Sequence, residues 1–264
     1  SCFIYPTCNA YGMENSLNEI SCPRCNAPLK FRMGTAIITC NYCGYVFSVN
    51  TLKPLELTHI VLVSKIDQVS ATQSYRSWLG RGFTKPQDLP SKAVTLTQEL
   101  VFEPVWRIPI KGIARYEGTS MRVTAPEAMS GEIERQYEWN VMGRRQLDFS
   151  LPAIIPLEAT NYPSISDLPA DSKLMHLEIE QDEAVSIAKT QLADRLKALA
   201  LEIVDKLSTF DVEFDVEFDV GTPTYLHFPL WIFTYRYEGA SYKVVMSAIT
   251  GEIIKGEYPQ RSLF

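Results

Sequence analysis

Residues 229–253 read Pro229-Leu230-Trp231-Ile232-Phe233-Thr234-Tyr235-Arg236-Tyr237-Glu238-Gly239-Ala240-Ser241-Tyr242-Lys243-Val244-Val245-Met246-Ser247-Ala248-Ile249-Thr250-Gly251-Glu252-Ile253, and this stretch decides the fold. Pro-x-Trp enters an apolar, alternating run of the kind that forms a half-buried strand. Gly239 turns the chain, a second strand returns, and Thr250-Gly251 makes the next hairpin.

An earlier stretch carries the same signals in the same order. Pro104-Val105-Trp106, Arg115-Tyr116-Glu117-Gly118, Met121-Arg122-Val123 and Ser130-Gly131-Glu132-Ile133 match Pro229-Leu230-Trp231, Arg236-Tyr237-Glu238-Gly239, Tyr242-Lys243-Val244 and Thr250-Gly251-Glu252-Ile253. The offset is 125 residues at the tryptophans, 121 at the Arg-Tyr-Glu-Gly runs and 120 at the last block. The pattern predicts a duplicated domain, with Gly118 and Gly239 at turns and both tryptophans as buried anchors.

Outward from each strand block lies a helix. From Gln181 to Leu201, the residues Ala184, Val185, Ala188, Leu192, Leu196 and Leu199 fall on one face, and Asp182 and Glu183 sit where the helix dipole favours negative charge. In the first copy, Ser64 to Leu79 carries Ile66, Val69, Tyr75 and Trp78, ended by Gly80 and Gly82. Between the copies, Pro152, Pro156, Pro163 and Pro169 predict an extended connector over 151–172, because proline fixes φ and cannot donate to a ladder.

All six cysteines lie in the first 43 of the 264 residues. Cys22-Pro23-Arg24-Cys25 and Cys40-Asn41-Tyr42-Cys43 are two CxxC turns, each aiming two sulfurs at one point. Two such turns close a tetrahedron around zinc. Asn26 and Gly44 follow the pairs and tolerate the positive φ that such a knuckle needs. Pro28–Arg32, Thr35–Thr39 and Tyr45–Val49 read as short strands, with Met33-Gly34 as a bend. This is the pattern of a zinc ribbon with one structural zinc. Two disulfides are the alternative, set aside because no signal peptide is evident and no cysteine follows residue 43. Cys2 and Cys8 read as free thiols, and Met13 as an alternative start that makes residues 1–12 an extension.

The expected organisation is therefore α+β, an N-terminal zinc ribbon plus two duplicated helix-on-antiparallel-sheet domains. Its parts are a leader (1–20), the ribbon (21–50), a first helix-plus-sheet repeat (51–150), a proline-rich linker (151–172) and a second repeat (173–264). The second repeat resembles a PepSY-type domain through Asp182-Glu183-Ala184-Val185, Tyr242-Lys243-Val244 and Thr250-Gly251-Glu252-Ile253. That resemblance implies one helix packed on an antiparallel sheet and a role in binding or inhibiting other proteins. The N-terminal segment resembles the ribbons of transcription, translation and replication factors. The whole is similar to uncharacterised prokaryotic zinc-ribbon proteins.

Composition excludes several classes. Apolar residues make up 46% and charged residues 21%, close to a soluble globular average. The net charge of -6 argues against a nucleic-acid coat, and no apolar run approaches the roughly 18 residues of a membrane span. Charge is uneven. Residues 1–50 hold three basic and two acidic side chains, 64–150 hold 12 and 10, and 171–264 hold 9 and 16. Arg76, Arg81, Lys85 and Lys92 cluster after the first helix, and Arg144 with Arg145 form a second group able to meet phosphate. Asp211, Glu213, Asp215, Glu217 and Asp219 alternate with Val212, Phe214, Val216, Phe218 and Val220, which puts the acids on one strand face. Such a face reads as a charged edge strand, as a docking surface for a basic partner or, less well because a straight row does not wrap an ion, as a divalent-cation site.

Nothing in the sequence argues for catalysis. His59, His176 and His227 are far apart and read as satisfied core or boundary residues. No phosphate loop, nucleophile elbow or HExxH is present. The expectation is a cytoplasmic, non-enzymatic interaction protein, docked on a macromolecular assembly such as a ribosome or another RNA-containing machine. The alternatives are a protein-only adaptor or inhibitor, and an enzyme with an unrecognised site.

Overall fold

The structure, a computed structural model, describes residues 17–55, 59–120, 127–145, 147–151, 161–205 and 212–260. The leader up to residue 16 with Cys2 and Cys8, the Met121–Val123 block and Asp211 lie outside the described residues. In chain order the elements are β1 (Leu17–Ser21), β2 (Pro28–Arg32), β3 (Ile37–Thr39), β4 (Val46–Ser48), β5 (His59–Val61), α1 (Gln68–Leu79), α2 (Leu89–Lys92), β6 (Val94–Ser120), β7 (Glu127–Met142), β8 (Lys173–Leu174), α3 (Gln181–Asp205), β9 (Val212–Val220), β10 (Thr224–Tyr237), β11 (Ala240–Ser247) and β12 (Ile253–Gly256).

The two strand blocks, expected as two sheets, form one. The backbone of the sheet runs β12-β11-β10-β6-β7, and β5, β8 and β9 add to it. At its centre β6 and β10 run antiparallel, with Trp106 opposite Tyr225 and Trp231 opposite Leu100. Where they pair, the two long strands bury both faces, with Val105, Leu226, Phe228 and Leu230 on one side. On the helix side, Phe102, Trp106, Ile108, Ile110 and Ala114 alternate along β6, and Tyr225, Trp231, Phe233, Tyr235 and Tyr237 along β10. Burying side chains of this size contributes about 1.5–3 kcal/mol each, ample to hold two long strands together.

The helices cross over. Ala71, Tyr75 and Leu79 of α1 bury against Trp231, Phe233 and Tyr235 of the second block. Ala184, Ala188, Leu192 and Leu196 of α3 bury against Trp106, Ile108, Ile110 and Ala114 of the first. Helix α1 starts at Asp67, whose carboxylate accepts the Ser70 N–H at 2.7 Å. The consequence for organisation is direct. One packing cluster joins β6 and β7 to α3 and β9, while the other joins α1 and α2 to β10, β11 and the first part of β6. The connector at 151–172 therefore does not separate two sheets, because non-local pairing outweighs chain order. Nor is the connector wholly irregular, since Ile165–Asp167 form a 3₁₀ turn and Asn161 bridges Leu62.

One set of bonds recurs at two places. The Trp106 indole N–H donates to the Ile179 carbonyl at 2.8 Å, and the Trp231 indole N–H donates to the Ile66 carbonyl at 2.8 Å. The Gly143 N–H reaches the Pro104 carbonyl, as the Ala248 N–H reaches that of Pro229. The N–H groups of Glu178 and Ile179 share the Gly143 carbonyl, as those of Lys65 and Ile66 share the Ala248 carbonyl. The short strands β8 and β5 pair in parallel with β6 and β10, placing Leu174 beside Phe102 and Val61 beside His227. A shift of 125 carries the first set onto the second along the central strands, and a shift of 113 relates the helices and the residues before them.

The later sequence matches do not follow these shifts. Glu238 and Gly239 form a two-residue hairpin at φ 48° and 86°, with Tyr237 paired to Ala240. Arg115 to Gly118, by contrast, stay inside β6. Ser130-Gly131, expected as a turn, lies within β7 opposite Glu117 and Tyr116. A Cβ at Gly131 would stand 2.3 Å from the Tyr116 hydroxyl oxygen, so the glycine makes room for a ring rather than for a bend.

Candidate metal centre and its seat

Residues 17–55 build two knuckles of the same form. The Asn26 N–H donates to the Cys22 carbonyl and the Cys22 N–H to the Ala27 carbonyl, each at 2.9 Å. The Gly44 N–H donates to the Cys40 carbonyl and the Cys40 N–H to the Tyr45 carbonyl, also at 2.9 Å. Asn26 at φ 60° and Gly44 at φ 72° supply the left-handed turns. β1 pairs with β2 and β3 with β4, so Leu17–Ser21, of which residues 17–20 fall in the expected leader, is a strand of this lobe. Cys22, Leu29, Ile38, Cys40 and Phe47 form its small core.

The knuckles bring Cys22, Cys25, Cys40 and Cys43 together, with all four sulfurs within 4.8 Å of one another. Cys22 Sγ lies 3.7 Å from Cys43 Sγ, and Cys25 Sγ lies 3.7 Å from Cys40 Sγ. A tetrahedron with metal–sulfur bonds of about 2.3 Å has edges of about 3.8 Å, whereas a disulfide needs about 2.05 Å. The donor set fits a metal ion. Without one the thiols differ. Burial opposes ionisation at Cys22, but the N–H groups of Cys25 and Arg24 outweigh it and bring the pKa to about 7. Burial pushes Cys40 up to about 12 and also raises Cys43. A bound cation would supply the charge that keeps all four as thiolates, with release of protons.

The lobe is seated on the body at a defined point. The N–H groups of Ala36 and Ile37 both donate to the Leu177 carbonyl, at 2.9 and 3.1 Å, and the Leu177 N–H returns a bond to Ile37. Ile37 is buried in the cluster that contains Trp106, Leu177 and Tyr225. Under this seat lies a polar group not foreseen from sequence. The Met175 carbonyl, 2.8 Å from His227 Nε2, can only accept, so His227 carries its proton on Nε2. Its Nδ1 then accepts from His59 Nε2 at 2.8 Å. The Tyr225 hydroxyl lies 3.3 Å from His227 Nε2 and 3.4 Å from the hydroxyl of Thr39, next in sequence to Cys40. Burial drives His227 well below its ordinary pKa and His59 to about 4, so both are neutral at pH 7. Residues 59 and 227 meet only because β5 pairs with β10, a contact that local patterns do not encode.

No protein family, curated protein or solved structure matches the chain. The PepSY-type resemblance of residues 173–264 gains no support from those comparisons. Among the described residues, no helix is long and apolar enough to cross a membrane.

The proposed basic contacts fare unevenly. Lys85 is only 7% exposed, lies 3.2 Å from the Trp78 ring centroid and donates to the Trp78 carbonyl at 2.5 Å. It closes the end of α1 and is not a surface cation, and burial lowers its pKa to about 8. Arg144 pairs with Glu103 at 2.9 Å and Glu178 at 3.5 Å, and Arg145 pairs with Glu183. These two arginines therefore hold the start of α3 to the sheet instead of facing outward together. Lys92 pairs with Asp88 at 2.6 Å, while Arg76 and Arg81 are exposed.

The acidic strand stands as the alternation requires. Glu213, Asp215, Glu217 and Asp219 are exposed, and Phe214, Val216, Phe218 and Val220 pack on the α3 side. β9 pairs with β6. Two cations lie opposite the row. Arg115 binds Glu217 at 2.8 Å and Glu132 at 3.0 Å, and Lys111 stands across from Asp219 while binding Glu134 at 2.9 Å. Glu213 faces Glu117 across the ladder. The face remains acidic despite these pairs.

Proposed function

We propose that the chain is a non-enzymatic, zinc-binding interaction protein in which the metal is structural. The observation that carries this reading is the set of four sulfurs within 4.8 Å of one another, two of their separations being 3.7 Å. Four protein ligands leave no position for a reacting water, and tetrahedral sulfur sites of this spacing typically hold zinc. The zinc would shape a ribbon too small to bury an adequate core alone, and the ribbon would stay seated at Leu177. Behind it, the recurring bonds support a duplicated short strand, helix and hairpin, with the helices exchanged between copies.

The body would dock on a macromolecular assembly in the cytoplasm, preferably a ribosome or another nucleoprotein machine. Glu213, Asp215, Glu217 and Asp219 would meet basic protein surface there, and Arg76 and Arg81 would meet phosphate. Sedimentation of the tagged chain in lysate, with and without ribonuclease, tests this. Co-sedimentation that collapses on ribonuclease treatment supports the nucleoprotein reading, and a chain that stays at the top of both gradients refutes it. A protein-only adaptor is the second reading, favoured by the large share of the basic side chains that are committed to internal ion pairs.

A further inference from the structure

The shifts that relate the two halves of the sheet also relate two seats. On one side, Leu177 lies two residues before Ile179, the acceptor of the Trp106 indole, and it is Leu177 whose backbone pairs with Ile37 of the ribbon. The shift of 113 carries Leu177 back onto Ser64, which lies two residues before Ile66, the acceptor of the Trp231 indole. The shift of 125 carries Tyr225 back onto Leu100 and Trp106 onto Trp231. At this second place there is an open cleft of about 510 Å³, lined by Ser64, Ile66, Gln98, Leu100, Tyr162 and Trp231.

The two seats differ in what covers them. Trp106 and Tyr225 are 0% exposed beneath the ribbon, whereas Trp231 and Leu100 remain 7% and 6% exposed. The backbone N–H and C=O of Leu177 are both engaged by the ribbon strand. Among the described residues, those of Ser64 take part in no backbone hydrogen bond, and its hydroxyl turns inward to the Ile66 carbonyl at 3.2 Å. A donor and acceptor unpaired among the described residues, beside an apolar floor, is the arrangement that accepts an added extended segment.

We propose that this cleft receives a short extended segment of a partner protein with an aliphatic residue at its centre. The segment would pair with Ser64 as Ile37 pairs with Leu177. Its isoleucine, valine or leucine would lie on Leu100 and Trp231, and polar neighbours would meet Gln98, Asp67 and Asp171 at the rim. The chain's own ribbon strand is not the occupant, because it is already held at Leu177. The inference rests on the reading of the chain as an interaction protein, but not on whether that assembly contains RNA.

The probe is the isolated pentapeptide acetyl-Thr-Ala-Ile-Ile-Thr-amide, the sequence of residues 35–39, titrated into the ¹⁵N-labelled, zinc-loaded full chain. Saturable shifts of the Trp231 indole and the Ser64 amide, with Trp106 and Leu177 unmoved, are expected. The same peptide with aspartate as its third residue should bind at least tenfold more weakly. Gln98→Trp, which fills the mouth, and Ser64→Pro, which removes the donor, should each weaken binding by tenfold or more, and unchanged thermal melting identifies variants that fold. No shift at millimolar peptide, equal binding of the aspartate peptide, or movement of Trp106 in place of Trp231 would each overturn the proposal. A chain that co-sediments yet ignores the peptide defeats this inference alone. A chain that takes the peptide yet does not sediment defeats the nucleoprotein reading alone.

Discussion

Trp106 and Trp231 lie near the middle of two paired strands and make the same kind of indole bond, yet only one of them is roofed by the ribbon. Beneath the roofed one sits a histidine pair. Beneath the other, the residue equivalent to His227 is Phe102, which is fully apolar. The difference teaches that one scaffold can carry a fixed cover over one tryptophan and an open cleft beside the other. Three experiments probe that contrast.

The largest effect should come from removing the metal. Structural zinc is worth about 10–16 kcal/mol in small four-ligand domains, so chelation or Cys40→Ser should unfold residues 17–55. Hydrogen exchange should then show this lobe unprotected, while amides of Ile108 and Leu230, at the centre of the sheet, stay protected. Trp106 should become accessible to a quencher, and Trp231 should not change. Loss of protection throughout the sheet would mean that the ribbon is integral to the body rather than a cover.

A smaller effect should follow acidification. His59 is neutral when folded, with a pKa of about 4 against 6.5 for the free side chain. The unfolded chain binds the extra proton between those values, so stability is complete above about pH 6.5 and falls as pH drops toward 4. At 1.36 kcal/mol per unit this amounts to about 3 kcal/mol from His59. With zinc in excess, melting temperature should decline over that window. His59→Gln, which can still donate to His227 Nδ1, should flatten the decline. An unchanged slope would remove the pair as its source.

The smallest effect distinguishes the tryptophans themselves. Trp106→Phe and Trp231→Phe each lose an indole bond and some packing, about 1–3 kcal/mol. The loss should be greater at Trp106, where the ring is wholly covered, and chelation should bring the two values together. Equal losses in the zinc-loaded protein would show that the cover adds nothing to the packing below it. Chemical denaturation of the two variants, with and without chelator, reads the difference.

Much of this architecture is legible in the sequence. The knuckle geometry followed from two CxxC pairs with Asn26 and Gly44 behind them, because each turn is local. Helix α3 followed from one apolar face, although it continues to Asp205. At both Pro-x-Trp sites the proline carbonyl and the indole make bonds of the same kind. The matches beyond it misled. Gly131 and Gly239 look alike in sequence, yet one lies under the Tyr116 ring and the other forms a turn. Basic residues were poorly placed by sequence, because Arg144 and Lys85 find partners tens of residues or a whole helical end away. The histidine pair and the open cleft depend on β5 and β10 meeting, which no local pattern states.

The crossing of the helices has a consequence during synthesis. Tyr75 and Leu79 leave the ribosome long before Phe233 and Tyr235, the side chains that cover them. At about 5–20 residues per second, that interval lasts roughly ten to thirty seconds. Helix α1 must wait out that delay with its apolar face uncovered, a natural opening for chaperones, whereas α3 emerges after β6 and β7 and can settle on them at once.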